Sequence, residues 1–246
     1  MKAIICAAGQ GRRLMPYTKN RPKCLVKVGN KTIVEHALDS LSACGISEVV
    51  IVVGYRSNKF KRIIGARHKK CRIKYLINKK YDKTDNMYSL WEARGEINDG
   101  FIFLNADILF NMDILKNLIS AAYSDAAVID DKIKLEKSAM KVKVAGDRIV
   151  RIGRNLKDGN ARAIGIYKYS PEGARKYFSE IKKVISKNKN KASLGKSFGQ
   201  IEMAIGQFIR HSKLNAIKTG NLAWQEVDDI EDLKKAERKL KHILRK

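Results

Sequence analysis

Acidic residues are scarce in this chain: 25 Asp and Glu stand against 51 Lys and Arg, a formal net charge of +26. That imbalance points to an anionic partner, yet the lysines are scattered throughout, which suits a solvated basic surface equally well. No recognition-helix or RNP-like motif accompanies the charge, so nucleic acid is not the expected partner. No run of about 18 apolar residues occurs, which leaves no candidate membrane-spanning helix, and the opening apolar stretch turns glycine-rich too soon for a signal peptide. A soluble, cytoplasmic protein without membrane insertion is the expectation. The cysteines, Cys6, Cys24, Cys44 and Cys71, form no CxxC pair and have no histidine grouped beside them. Reduced, mostly buried thiols are therefore expected, and neither a zinc site nor a disulfide framework. No linker rich in proline, glycine or serine interrupts the 246 residues, so one domain over 1–246 is expected.

What is present reads as alternating strands and helices. KAIICAA, 2–8, is a continuous apolar run ending at Gly9, the pattern of a strand covered on both faces. From Thr32 to Cys44 apolar residues recur at helical spacing, with Thr32 placed to cap and Gly45 to stop the helix. VVIVVGY, 49–55, reads as a parallel partner of the first strand, 57–64 as a crossover helix, 72–78 as a strand, 87–96 as a helix and 100–110 as a strand with polar residues at its carboxyl end. After a helix over 114–123, the segments AAVIDD, MKVKVAGDRIVRIG and AIGIYKYS read as short strands, with a turn at Ala145-Gly146-Asp147. A Lys-rich stretch over 182–197, a helix over 200–211, the acidic segment AWQEVDDIEDL and an amphipathic C-terminal helix complete the chain. The pattern predicts an α/β fold: a doubly wound, Rossmann-like, mixed but mostly parallel sheet with an added antiparallel portion.

The first strand runs into AAGQGRRLMPYTKNRPK. Backbone N–H groups of Ala8, Gly9, Gln10 and Gly11 fall where a ligand phosphate could sit, and the glycines let the backbone come close. The position three after Gly11 is Leu14, so this is not a dinucleotide-binding GxGxxG, and no Gly-Lys-Ser/Thr follows to make a Walker A loop. Arg13 can bridge two phosphate oxygens through its planar fork, Lys23 supplies a compact mobile charge, and Pro16 and Pro22 stiffen the loop between them. Arg12, Lys19 and Arg21 find no such assignment.

This stretch resembles the first motif of the nucleotidyltransferases that activate phosphorylated sugars and alcohols, roughly A-A-G-x-G-x-R-L-x-P-x-T-x-x-x-P-K, with Arg12 where many members have Thr. The resemblance implies that Arg13 and Lys23 bind a nucleoside triphosphate and stabilise charge in the transition state. It divides the chain into a nucleotide-binding half, 1–112, and an acceptor-binding half with the C-terminal helix, 113–246. A divalent cation, Mg²⁺, is expected as cofactor, because it offsets the repulsion between attacking and attacked phosphates. Asp107 follows the apolar strand FIFL at its carboxyl end, where open α/β sheets bind ligands, and the family places a metal-binding aspartate there. In WQEVDDIEDL the resemblance aligns Asp228 with the second metal ligand. Glu226 alternates with Asp228 and ranks below it, while Asp229, Glu231 and Asp232 read as helix N-terminal residues favoured by the dipole.

NKKYDKTDNMYSL resembles the stretch that cytidylyltransferases for phosphocholine carry and, less closely, that of archaeal inositol-phosphate enzymes. Asn78, Asn86 and Ser89 are the candidates for reading a pyrimidine base, although either asparagine could equally be a turn residue. The strand, turn and strand over MKVKVAGDRIVRIGRNL resemble the acceptor-binding pattern, with Arg154 in place of a lysine; Lys141 and Arg154 are the candidates for gripping the acceptor phosphate. A choline head would require aromatic faces, for which Tyr88, Trp91, Tyr167 and Trp224 are available.

The implied reaction is attack by a phosphomonoester on the α-phosphorus of a triphosphate, CTP with phosphocholine or inositol phosphate, releasing pyrophosphate. A sugar-1-phosphate nucleotidyltransferase using UTP, dTTP or GTP, a catalytically silent subunit and a basic nucleic-acid binder remain as alternatives. The sequence is also compatible with a homo-oligomer.

Overall fold

The computed structural model describes residues 1–188 and 200–245. The first part of the chain forms β1 (Lys2–Ala7), β2 (Lys27–Val28), β3 (Lys31–Thr32), α1 (Ile33–Ala43), β4 (Glu48–Val53), α2 (Asn58–Ile63), β5 (Arg67–His68), β6 (Cys71–Ile77), α3 (Asn86–Glu92), β7 (Phe101–Asn105), β8 (Ile108–Phe110) and α4 (Met112–Ser120). The rest forms β9 (Ala126–Asp130), β10 (Lys141–Ala145), β11 (Arg148–Ile152), β12 (Ala161–Tyr169), α5 (Pro171–Asn188), α6 (Gln200–His211), β13 (Asn215–Lys218), β14 (Trp224–Glu226) and α7 (Ile230–Ile243). One ten-stranded sheet runs in the order β10-β11-β13-β9-β12-β7-β1-β4-β6-β5. Strands β7, β1, β4 and β6 are parallel neighbours, with Ile5 level with Ile51 on one side and Leu104 on the other. β12 then runs antiparallel to both β7 and β9, which starts the antiparallel portion.

The apolar runs sit in the middle of this sheet because both of its faces are covered. Ala3, Ile5 and Ala7 join the core under α1 and α4, whereas Ile4 and Cys6 join the opposite core under α3, α5 and α6. A third, smaller core joins Leu14 and Val28 to Leu109, Val227 and Leu233, so α7 clamps the opening loop against the carboxyl end of the sheet. The cap of α1 is the predicted one: Glu35 N–H donates to Thr32 Oγ1, and the Glu35 carboxylate accepts from Thr32 N–H.

The structure departs from the sequence reading in several places. The segment 100–110 is two strands: Asn105 to Asp107 turns the chain out of the large sheet, and β8 pairs antiparallel with β14, Ile108 level with Glu226. An 18-residue helix, α5, begins at Pro171, where a missing N–H costs nothing, and buries Ala174, Tyr177, Ile181 and Val184 at three- and four-residue spacing. It takes in the first part of the Lys-rich stretch, whose remainder lies outside the described residues. The short strands β2, β3, β5 and β13 carry no counterpart in the sequence pattern.

Away from the carboxyl end, Asp39 on α1 accepts from Lys31 Nζ at 2.5 Å, Lys69 Nζ at 2.7 Å and His68 Nε2 at 2.8 Å. Burial alone would raise this carboxyl, but the hydrogen bonds from Lys31, Lys69 and His68 outweigh it and hold the group well below the ordinary carboxylate range. A depressed folded pKa contributes stability above the unfolded value, about 3.9, and that contribution is lost as pH falls. Asp39→Asn is expected to cost about 1 kcal/mol at pH 7, a modest figure because the cluster is partly solvated. Melting curves at pH 7 and pH 3 should show the deficit shrinking at the lower pH.

Candidate active site

β1 delivers the opening loop to the carboxyl edge of the sheet, and Gly11 shapes it. Gly11 has φ of +66°, and a Cβ there would lie 2.7 Å from the Lys23 Cβ, so its bare backbone allows Lys23 to pack against the turn. Thr18 Oγ1 donates to the Gly11 carbonyl at 2.8 Å and closes the loop on itself. The N–H groups of Gly9, Gln10 and Gly11 have no partner among the described residues. Gly9 and Gly11 border a cleft of about 390 Å³ whose other walls include Arg12, Arg13, Asn86 and Asp107.

Three carboxylates meet at this cleft. The turn between β7 and β8 carries Asp107, while β14 and the residues after it carry Glu226 and Asp228; the Val227 N–H donates to the Asp107 carbonyl at 2.9 Å and ties the two segments. One oxygen from each of Asp107, Glu226 and Asp228 lies within 4.8 Å of the others. Lys23 sits between them, its Nζ donating to Asp107 Oδ2 at 2.7 Å and to Asp228 Oδ1 at 2.5 Å. Arg13 Nη2 approaches Asp228 Oδ2 at 2.9 Å from the solvent side. Asp229 caps α7 by accepting from the Asp232 N–H, the local role expected for the rest of the acidic segment.

The charges explain one another. Burial by itself would lower Lys23, but Asp107 and Asp228 outweigh it and raise its pKa, so the ammonium is permanently charged. Burial would raise Asp228, and Lys23 with Arg13 hold it below the ordinary range instead. Glu226 moves the other way: burial, then Asp107 and Asp228, push it up to about 7 against the pull of Arg162 and Lys23. Asp107 Oδ1 is buried without a hydrogen-bond partner, an unusual and costly state for a carboxylate oxygen. An orphaned oxygen within an all-oxygen cluster fits a hard divalent cation.

Of the residues singled out from sequence, Gly9, Gly11, Arg13, Lys23, Asn86, Asp107 and Asp228 line one cleft. Ala8 lies just behind it, its carbonyl accepting from the Tyr55 N–H at 3.1 Å. Asn78 and Ser89 are buried and bonded to each other: Asn78 Nδ2 donates to Ser89 Oγ at 3.1 Å and to Thr84 Oγ1 at 3.0 Å, while its Oδ1 accepts from the Lys80 N–H. Their polar atoms anchor the start of α3 and do not face the cleft. Lys141 opens β10 and Arg154 lies in the turn after β11, both outside the cleft walls; the Arg154 guanidinium donates to the Ser138 carbonyl, and its buried Nε has no partner among the described residues.

Two contributions were not assigned from sequence. Arg12 lines the cleft, steadied by a 2.7 Å hydrogen bond from its Nε to Gln10. Arg162, in a strand with no motif to mark it, pairs with Glu226 and lays its guanidinium over the Trp224 ring.

A family model described as nucleotidyl transferase matches residues 2–242. The CTP:phosphoglutamine cytidylyltransferase of Campylobacter jejuni is 32% identical over 191 residues, spanning 69% of this chain and 73% of that protein. The choline-phosphate cytidylyltransferase of Streptococcus pneumoniae is 34% identical over 123 residues, 50% of this chain and 52% of that protein, so the match covers about half of each. Among solved structures, the inositol-1-phosphate CTP transferase from T. maritima superposes with a TM-score of 0.76 at 24% identity, covering 98% of this chain and 95% of that one, a likeness that shows the fold. With the family model matched over nearly all of its length and its motif residues gathered on one cleft, this chain belongs to the nucleotidyl transferase family.

Proposed function

We propose that the chain transfers a cytidylyl group from CTP to the phosphate of a small phosphorylated alcohol of the phosphocholine or inositol 1-phosphate kind, releasing pyrophosphate. The observation that carries this reading is the convergence of Arg13, Lys23, Asp107 and Asp228 on one cleft from three distant parts of the chain. The cytidylyl transferases among its relatives support CTP as the donor.

In this reading an oxygen of the acceptor phosphate attacks the α-phosphorus, and the bond from that phosphorus to the oxygen bridging the β-phosphate breaks. The attacking phosphate is already ionised near neutral pH, so no protein base is needed. Catalysis rests on positioning and charge. The free N–H groups of Gly9, Gln10 and Gly11 cradle phosphate oxygens, Arg13 grips them in a planar fork, and Lys23 redirects its three donors from the carboxylates to the leaving pyrophosphate. Asn86 offers its amide to the base, and Lys141 with Arg154 is assigned the grip on the acceptor phosphate. Asp107 and Asp228, with Glu226 beside them, would hold Mg²⁺, which when bound supplies the charge that lets two phosphates approach.

The test is pyrophosphate release with CTP, UTP, dTTP and GTP, each against phosphorylated alcohols and glucose 1-phosphate. Turnover is expected with CTP and a phosphorylated alcohol. Turnover confined to UTP, dTTP or GTP with glucose 1-phosphate would replace this reading with a sugar-activating one.

A further inference from the structure

Proteins hold a quaternary ammonium on the faces of aromatic rings, commonly with a carboxylate nearby. The four candidate rings, Tyr88, Trp91, Tyr167 and Trp224, are all engaged. Lys80 Nζ lies 5.6 Å from the Tyr88 centroid, and the Arg94 guanidinium 4.4 Å from that of Trp91. Tyr167 is 4% exposed and stacks on Phe103 and Tyr169, at 5.7 and 6.3 Å. Trp224 shares a strand with Glu226, two residues away, and the Arg162 guanidinium lies 5.0 Å over its ring.

Arg162 is held there on two sides. It pairs with Glu226, and the Trp224 ring beneath it is fixed by a 2.7 Å hydrogen bond from Nε1 to Asp130 Oδ2. The Arg162 side chain is 15% exposed. In the β10–β12 ladder it stands level with Lys141, a candidate acceptor-phosphate residue, and its guanidinium reaches Glu226 of the acidic cluster. The corner formed by an indole face and a carboxylate thus already holds a cation, supplied by the chain itself.

We propose that Arg162 determines acceptor specificity, by occupying the Trp224–Glu226 corner that a trimethylammonium head would need. The acceptor is then a phosphomonoester whose alcohol carries hydroxyl or carboxylate groups and no fixed positive charge. A second cation brought to this partly desolvated corner would meet the guanidinium at short range, whereas hydroxyls and carboxylates accept from its remaining N–H donors. The inference rests on the cytidylyl-transfer reading and narrows its substrate class.

The test is titration calorimetry of the full chain with phosphocholine and with inositol 1-phosphate, alongside CTP-dependent pyrophosphate release with each. Wild type is expected to favour inositol 1-phosphate by at least about thirtyfold, the equilibrium weight of one desolvated cation–π contact. Arg162→Met should narrow that ratio by about tenfold or more, and Arg162→Lys, which keeps the charge, should preserve most of it. Equal or tighter binding of phosphocholine by wild type, binding of neither ligand, or an unmoved ratio in Arg162→Met each overturns the proposal. The wild-type arm needs no variant to fold. If the binding order holds but no triphosphate yields pyrophosphate, the catalytic reading fails and the role of Arg162 stands. If CTP turns over with phosphocholine as the better acceptor, the catalytic reading stands and the role of Arg162 falls.

Discussion

Lys23→Met is expected to lower turnover by at least about a thousandfold, the scale of losing a preorganised charge at a phosphoryl-transfer centre. It should also weaken the fold, which a purely catalytic lysine would not do. Its side chain is 14% exposed and carries the only ammonium between Asp107 and Asp228 among the described residues. Without it two carboxylates face each other at an already negative spot. Removing one partner of a buried pair costs about 3–5 kcal/mol and of a surface pair about 1 or less; this site is intermediate and keeps Arg13, so a loss of about 2 kcal/mol is expected. The pH dependence has a definite sign. Asp228 is depressed by Lys23, so its share is present above the ordinary aspartate range and lost as pH falls. The Lys23 pKa is raised, so its share persists through neutral pH and is lost only as pH climbs through that raised value. Melts of wild type and variant should therefore differ most near pH 7 to 8 and converge below about pH 4, while pyrophosphate release stays low throughout.

Asp107→Asn should abolish turnover to a similar degree with the opposite effect on the fold. Asp107 contributes an orphaned oxygen to a crowd of three carboxylates, and Lys23 retains Asp228 when it is neutralised. Stability without ligands is expected to be unchanged or slightly raised, since relief of repulsion among three carboxylates and of the orphaned Oδ1 offsets the lost ion pair with Lys23. Asp107 also helps to push Glu226 up to about 7, so the Glu226 carboxyl should titrate lower in the variant. The diagnostic measurement is the thermal shift produced by Mg²⁺ with CTP: present in wild type, absent in Asp107→Asn. A variant that keeps the full Mg²⁺-dependent shift would remove Asp107 from the metal site.

Much of the first part of the chain was legible because its signals are local. An apolar run covered on both faces, a glycine turn and a capping threonine each act within a few residues, and they recur in β1, the Gly11 turn and the α1 cap. The break at Asn105 to Asp107 was less visible, since ILF after it is as apolar as FIFL before it. Only the presence of β14 as a partner made β8 a separate strand. α5 was legible in principle, from Ala174, Tyr177, Ile181 and Val184, but ten charged or polar neighbours dilute that stripe. Asn78 shows the converse: the residue type suited base recognition, and its burial gave the amide to Thr84, Ser89 and Lys80.

The sequence by itself determined the loop that carries Arg13 and Lys23, the strand that ends at Asp107, and the acidic segment that holds Asp228, because each is a contiguous pattern with a local physical cause. Tertiary structure alone decided that Lys23 rests between two carboxylates 84 and 205 residues away, that Glu226 joins them, and that Arg162 lies over Trp224. These depend on which strands become neighbours. Charges separated along a chain acquire their energies only when folding brings them within a few ångströms and removes the water between them.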